Sequence, residues 1–424
     1  MATVSINPVR PRRFLELILM LLALAVGIGG YVITSINRTG EPPANLGLHI
    51  GILLAIAILA EIGVHFLAPY ADPVILSVAV ALTGMGLAMI YRIDLSLNAL
   101  GMDTVGMRQL MFVGIAIALA AVILVVIRDH RILSRYTYTF GLLSLVLLLL
   151  PMIPGLGKET YGARVWISLG PILVVWLVGV AILVLQRDLG TSLLFFGLFV
   201  ATLYVATNRV SWLVIGFLMF VHAVLVEIST FSHVRARFSV WLNALDPEVY
   251  NAQAGGSYQL VQGLFGQASG GLLGTGWGRG YPQLVPLANS DFILSSFAEE
   301  LGITGLAAIL VLYLILIERG LRAAIGVRDG FGKLLATGLS FSFAIQIFVV
   351  LGGITRLIPL TGLTAPFLAA GGSSMVSSWL AVALLIRVSD ASRRPSAPST
   401  WTSGNLPVVD AKKRHTPEHA GGRL

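Results

Sequence analysis

The run Leu110-Met-Phe-Val-Gly-Ile-Ala-Ile-Ala-Leu-Ala-Ala-Val-Ile-Leu-Val-Val-Ile127 decides the fold. It holds no polar side chain, and Arg108 and Arg128 bracket it. About 20 such residues, rising 1.5 Å each as a helix, cross the roughly 30 Å of hydrocarbon in a bilayer. The pattern recurs along the 424 residues, with apolar spans at 14–35, 47–68, 73–92, 108–127, 138–154, 171–186, 191–208, 212–230, 292–317, 332–353 and 372–389. Composition agrees: 56% of residues are hydrophobic and 11% charged, against about 25% charged in soluble domains. Such a chain cannot clothe a water-exposed surface. The expected class is an all-α polytopic membrane protein, which excludes a soluble enzyme, a disordered chain and, with no cysteine, a disulfide scaffold or a thiol catalyst.

The formal charge is +8. In a membrane protein this reflects basic residues retained in cytoplasmic loops and does not point to nucleic acid. Arg10, Arg12 and Arg13 put the N-terminus inside, as do Arg128, Arg131 and Arg135 for the loop that carries them. Arg319, Arg322, Arg328 and Lys333, with Arg393, Arg394 and Lys412–Arg414, put the C-terminus inside as well. Two cytoplasmic ends need an even number of crossings, yet eleven spans are read. The two consistent halves meet between Pro154 and Pro171. The expected organisation is a cytoplasmic N-terminus (1–13), N-terminal membrane helices (14–154), central helices (155–230), a long extracytoplasmic loop (231–291), C-terminal helices (292–390) and a disordered cytoplasmic tail (391–424).

The seven histidines form no metal-ligand pattern, and neither a G-x-S-x-G nor a Walker A motif is present. Gly274-Thr-Gly276-Trp-Gly278-Arg-Gly280 resembles a phosphate cradle only superficially, since no βαβ unit surrounds it. Carboxylates in apolar surroundings carry more information, because they are costly there and are kept for function. Asp188 stands at a break between spans, and Asp291 where the long loop turns into a helix; either could simply cap the following helix. Glu299 and Glu300 lie inside the next span on adjacent faces, so at least one must line a polar cavity or meet a cation. These residues suit a transporter and a membrane-embedded transferase equally.

From Tyr161 to Ser389 the order of motifs resembles the SEDS family, the RodA/FtsW/SpoVE membrane glycosyltransferases of bacterial cell-wall synthesis. The resemblance rests on Gln186-Arg-Asp-Leu-Gly-Thr191, Tyr258-Gln-Leu-Val-Gln262, Ser269-Gly-Gly-Leu-Leu-Gly-Thr-Gly276, Ser290-Asp-Phe-Ile293 with Glu299-Glu-Leu-Gly302, and Ile358-Pro-Leu-Thr-Gly362 with Gly371-Gly-Ser-Ser374. The extra N-terminal spans are most similar to its actinobacterial branch. Arg187 replaces a family proline, Gly162-Ala-Arg-Val-Trp166 has its arginine displaced by one place, and Trp241–Pro247 carries extra residues. The family's Q-P-x-E-x-x-K helix, due after Gly170, is absent; Pro171 starts what resembles the next one. Charge parity and this gap point to the same missing crossing near 170/171.

The resemblance implies polymerisation of lipid II into glycan strands, with Asp291 as general base. It implies substrate contacts from Asp188, Arg235, Arg237, Gln259, Gln262, Arg279, Ser373 and Ser374, with Glu299 and Glu300 shaping the cavity. Asp188 would shape the cavity or bind a cation, and the three arginines would face the leaving pyrophosphate. A divalent cation, Mg or Mn, is compatible with this chemistry; no organic cofactor is implied. The expected partners are lipid II, membrane lipids and a class B penicillin-binding protein transpeptidase. A lipid II flippase and a non-catalytic scaffold of the elongation machinery are the competing readings.

Overall fold

The computed structural model describes residues 13–43, 46–136, 139, 189–252 and 256–394. Its principal helices are α1 (Arg13–Thr39), α2 (Leu46–Leu67), α3 (Pro73–Ala99), α4 (Gly106–Val126), α5 (Leu189–Thr207), α6 (Ser211–Thr230), α7 (Ser232–Leu242), α8 (Tyr258–Gly270), α9 (Ile293–Gly326), α10 (Gly330–Ile354) and α11 (Gly372–Arg393). Among the described residues, nine of these are long and apolar enough to cross a membrane, all but α7 and α8. They coincide with nine of the eleven expected spans. The spans at 138–154 and 171–186, the 170/171 junction and the tail beyond Arg394 lie outside the described residues, as does Asp188.

Helix α3 is the central post. Asp72 caps its first turn by accepting from the Val74 N–H, and Pro73 occupies a first-turn position where a missing N–H costs nothing. Helix α1 crosses it at Gly27 and Gly84, where a Cβ on Gly27 would come within 2.9 Å of the Gly84 Cα. Close backbone approach through small residues is how helices gain contact in lipid, where no hydrophobic effect drives them together. The expected loop 231–291 is a structured layer containing α7 and α8. Helix α11 runs to Arg393, three residues beyond the expected end of the helical part.

The end of the bundle that carries most of the basic residues is tied by polar side-chain contacts, most of them ion pairs. His130 Nε2 lies 2.9 Å from Asp329, Arg319 and Arg393 both reach Asp72, and Arg394 holds Asp390 at 2.7 Å. Buried Arg387 donates to the carbonyls of Leu67 and Leu124, at the C-terminal ends of α2 and α4, where helix dipoles favour a cation. Burial pushes the Asp329 carboxyl up, but the Gly332 N–H, His130 and Arg131 outweigh it and hold the group below its ordinary value. Helix α5 begins at the opposite end, with Gly190 against Thr361, and runs antiparallel to α10, Gly197 meeting Ile345 and Thr202 lying beside Gly338. Arg135 and Leu189 therefore stand at opposite ends of the bundle.

Between α10 and α11 the chain is neither helix nor surface loop. Residues 355–371 dip inward until Phe367 and Leu368 press on Gly86 in the middle of α3. Ala365, Phe367 and Leu368 are buried. Irregular backbone at this depth survives only where protein satisfies its polar groups. Gln346 donates to the Thr364 carbonyl, Tyr313 to that of Pro366 and Gln109 to that of Ala369 while accepting from the Gly371 N–H. Ala370 N–H reaches the Asn289 carbonyl at 2.7 Å. Arg356 and Phe367 have positive φ, at 59° and 64°, a conformation costing about 1–3 kcal/mol each in a non-glycine residue.

Candidate functional site

Asp291 lies at the end of the bundle opposite His130 and Asp329, two residues before α9. Phe292, with no side-chain cap bond, is the N-cap of that helix, so capping does not account for Asp291. Its carboxylate accepts from Ser290 Oγ at 3.0 Å, and Ser290 Oγ in turn accepts from the Asp291 N–H at 2.6 Å. Oδ2 lies against Gly362, where an added Cβ would stand 3.8 Å away. Arg237, on α7, donates to the carbonyls of Leu360 and Thr361 at 3.2 and 3.0 Å and acts electrostatically on Asp291. Half-burial pushes the Asp291 carboxyl above its ordinary value; the Ser290 hydroxyl and the Arg237 charge oppose that without cancelling it. A carboxylate of raised basicity, half-buried and under the electrostatic influence of a guanidinium, is equipped to take a proton beside an anionic group.

The other expected contacts divide. Arg237 joins Asp291. Gln259 donates to the Pro286 carbonyl at 2.9 Å and Gln262 to the Tyr250 hydroxyl at 3.1 Å, so both tie α8 to the segments around it. Arg235 closes the end of α6 through the carbonyls of Ile228 and Ser229. Arg279 and Ser373 are exposed and Ser374 half-buried, at the start of α11. Among the described residues, no group of three His, Asp or Glu side chains is gathered to hold a metal ion. The described donors around Asp291 thus do not by themselves fit a divalent-cation site, and no chemical step is routed through one.

Glu299 and Glu300 behave as their position in an apolar span requires. Glu300 Oε1 meets Arg92 Nε at 2.7 Å with both side chains fully buried, and Oε2 accepts from the Gly278 N–H at 2.7 Å. Arg92 also donates to the Gly280 carbonyl at 2.6 Å and to Ser96 Oγ. Glu299 accepts from the Tyr281 N–H at 2.7 Å. Two residues on, Gly302 (φ 70°, ψ −173°) breaks α9. An unbroken helix would bond the N–H groups of residues 303 and 304 to the carbonyls of 299 and 300. Here Thr275 and Gly276 donate to those carbonyls at 3.0 Å each, while Ile303 and Thr304 donate to Gly271 and Leu272 at 3.0 and 3.1 Å. The loop 271–276 thus replaces both broken bonds. Gly274 is required there, since a Cβ would lie 2.2 Å from the Glu300 carbonyl oxygen.

Sequence reasoning missed three residues of this assembly. Arg92 closes the apolar run 73–92 and belongs to none of the motifs. Gln267, whose amide reaches Gly263, Ser295 and Ile354 and so joins α8, α9 and α10, carried no motif beyond its glycine-rich neighbourhood. Trp277, whose indole donates to Thr34 Oγ1 at 2.5 Å, was visible only as the bulky member of a glycine repeat.

Comparison with known proteins fits this architecture. A sequence model of the FTSW_RODA_SPOVE family, described as cell cycle protein, matches residues 73–175 and 170–394. Peptidoglycan glycosyltransferase RodA of Mycobacterium tuberculosis is 38% identical over 447 aligned positions, taking in 93% of this chain and 94% of the relative. That alignment is longer than this chain, so the relative has residues without a counterpart here. A probable peptidoglycan glycosyltransferase FtsW of Geobacter metallireducens is 32% identical over 75% of this chain and 94% of its own. The crystal structure of a point mutant of the rod shape determining protein RodA from Thermus thermophilus superposes with a TM-score of 0.50 at 21% identity, covering 75% of this chain and 97% of that one, and shares the polytopic helical fold. Motifs, fold and relatives agree, and the chain belongs to the FtsW/RodA/SpoVE family.

Proposed function

We infer that this chain is a peptidoglycan glycosyltransferase of the bacterial cytoplasmic membrane that serves cell shape, with lipid II as donor and acceptor. The observation that carries the reading is Asp291: a half-buried carboxylate of raised basicity beside Arg237 and the backbone of Thr361–Gly362, on a chain 38% identical to mycobacterial RodA over most of its length. The basic end of the bundle supports an orientation with that end cytoplasmic, which leaves Asp291 on the outer side. Both termini are then cytoplasmic.

The donor sugar is α-linked to a polyprenyl pyrophosphate, and the product bond is β-1,4. One displacement with inversion accomplishes this. The acceptor 4-hydroxyl oxygen attacks the anomeric carbon as its proton passes to Asp291, and the bond from that carbon to the pyrophosphate oxygen breaks, its electron pair leaving with the pyrophosphate. No covalent sugar–enzyme intermediate is needed. Asp291 must come within about 2.6–3.2 Å of the acceptor oxygen. Arg237 supplies positive charge on the same side, and Arg279 and Ser373 are exposed for substrate contact. A class B penicillin-binding protein is the partner the family reading implies, since glycan strands need crosslinking.

The test is polymerisation of purified lipid II by the purified full-length chain, with glycan products resolved by gel. Asp291→Asn is expected to fold and to form no glycan chains; full activity in that variant overturns the assignment. A flippase needs no general base, so translocation without polymerisation by the unaltered protein would replace the reading. A scaffold would show neither activity and would keep its partner in Asp291→Asn.

A further inference from the structure

The family match begins at residue 73, so α1 and α2 precede it. Helix α1 nevertheless reaches the assembly around Glu299 and Glu300. Thr34 Oγ1 accepts from the Trp277 indole at 2.5 Å, and Asn37 Nδ2 donates to the Trp277 carbonyl at 2.7 Å. The Trp277 ring lies over Gly30, where an added Cβ would stand 2.8 Å from it, and meets Phe297 of α9 edge-on. Gly278, seated against Thr34 and Asn37, gives its N–H to Glu300. Arg38 donates to Ser96 Oγ at 2.9 Å, and Ser96 also receives Arg92. Three consecutive turns of α1 thus grip both sides of the Arg92–Glu300 pair.

We propose that α1 is a brace for catalysis: Thr34 and Asn37 are positioning residues that hold the 276–281 loop, Arg38 steadies the Ser96 that receives Arg92, and through Glu299 and Glu300 they fix the first segment of α9, which begins two residues after Asp291. The catalytic part rests on the glycosyltransferase reading; the mechanical part does not. Displacement of a catalytic group by a fraction of an ångström lowers turnover more than ground-state binding. The signature of the brace is therefore a fall in kcat at constant KM.

The experiment uses the full-length protein. With no native cysteine, Arg279→Cys carries a single nitroxide label beside Gly278, read by electron paramagnetic resonance. Separately, without the label, lipid II polymerisation is measured for Thr34→Val, Thr34→Ser, Trp277→Phe and Thr34→Val/Trp277→Phe. Thr34→Val removes the acceptor oxygen at nearly unchanged shape. It is expected to raise label mobility and to lower kcat about tenfold, with KM within twofold. Thr34→Ser keeps the hydroxyl and is expected to restore both readouts. The double variant is expected to be no worse than Trp277→Phe alone, because Thr34→Val then removes a bond already lost; general loosening would make the losses add. Unchanged label mobility in Thr34→Val overturns the brace, and raised mobility with unchanged kcat overturns its catalytic part. If the unaltered protein makes no glycan, the function reading fails, while the label still decides whether α1 holds the loop.

Discussion

Glu300→Ala probes the best-defined interaction in the bundle. Its carboxylate receives Arg92 Nε and the Gly278 N–H, each at 2.7 Å, and neither charged side chain is exposed. Truncation leaves the Arg92 guanidinium with the Gly280 carbonyl and Ser96 but without the carboxylate bonded to it, only the more weakly coupled Glu299 remaining, and it orphans the Gly278 N–H. Removing one partner of a fully buried pair costs about 3–5 kcal/mol, because the remaining charge has lost its compensation but not its desolvation. An exposed pair would cost at most about 1 kcal/mol. Replacing both residues, Arg92→Met with Glu300→Met, removes both charges together, and such apolar swaps are often neutral. The double variant is therefore expected to recover most of the loss. The assay is reversible chemical unfolding in mixed micelles, with polymerisation followed in parallel. A loss below about 1 kcal/mol for Glu300→Ala, or a double variant as unstable as the single one, would refute the reasoning.

Four further outcomes are expected. The acid limb of kcat/KM should lie above the ordinary aspartate value of about 3.9, because burial raises the Asp291 carboxyl. By the same shift, stability is fully present below the unfolded value and declines as pH rises through the folded one; Asp291→Asn should abolish that decline, as read from unfolding at several pH values. Gly302→Ala should destabilise by about 1–3 kcal/mol and lower activity, since φ is 70° and the new Cβ would lie 2.4 Å from the Gly274 nitrogen; unchanged unfolding and activity would contradict the splice between loop and helix. Single cysteines introduced at Asp129 and Asn208 should react with impermeant maleimide only after the cells are permeabilised, and one at Gly101 already in intact cells, a pattern that the opposite orientation reverses.

Much of the fold was legible because lipid imposes a length: each described span coincides with an apolar run. The demand that Glu299 or Glu300 line a polar cavity or meet a cation was legible for the same reason. Its fulfilment by Arg92 was not, because the two residues are 208 positions apart and an arginine at a span's end already has a bland explanation. Arg235 and Arg237 are separated by one residue and look equivalent in sequence, yet one closes a helix end and the other faces Asp291; only the path of residues 355–371 distinguishes them. That path was invisible, since Ile358–Gly362 reads as a short loop until its carbonyls are traced to side chains on distant helices. The junction near 170/171 lies outside the described residues, and the two stretches of the family match, 73–175 and 170–394, overlap there.

The peptide groups of 271–276 complete a hydrogen-bond ladder that belongs to α9, so the two stretches form one mechanical unit. Pulled from the C-terminus in a force spectrometer, α9 should not peel away turn by turn. Its release should coincide with a jump in contour length reaching back to residue 271, and the rupture force should survive side-chain changes at Leu272 and Leu273, whose exposed side chains take no part in that ladder.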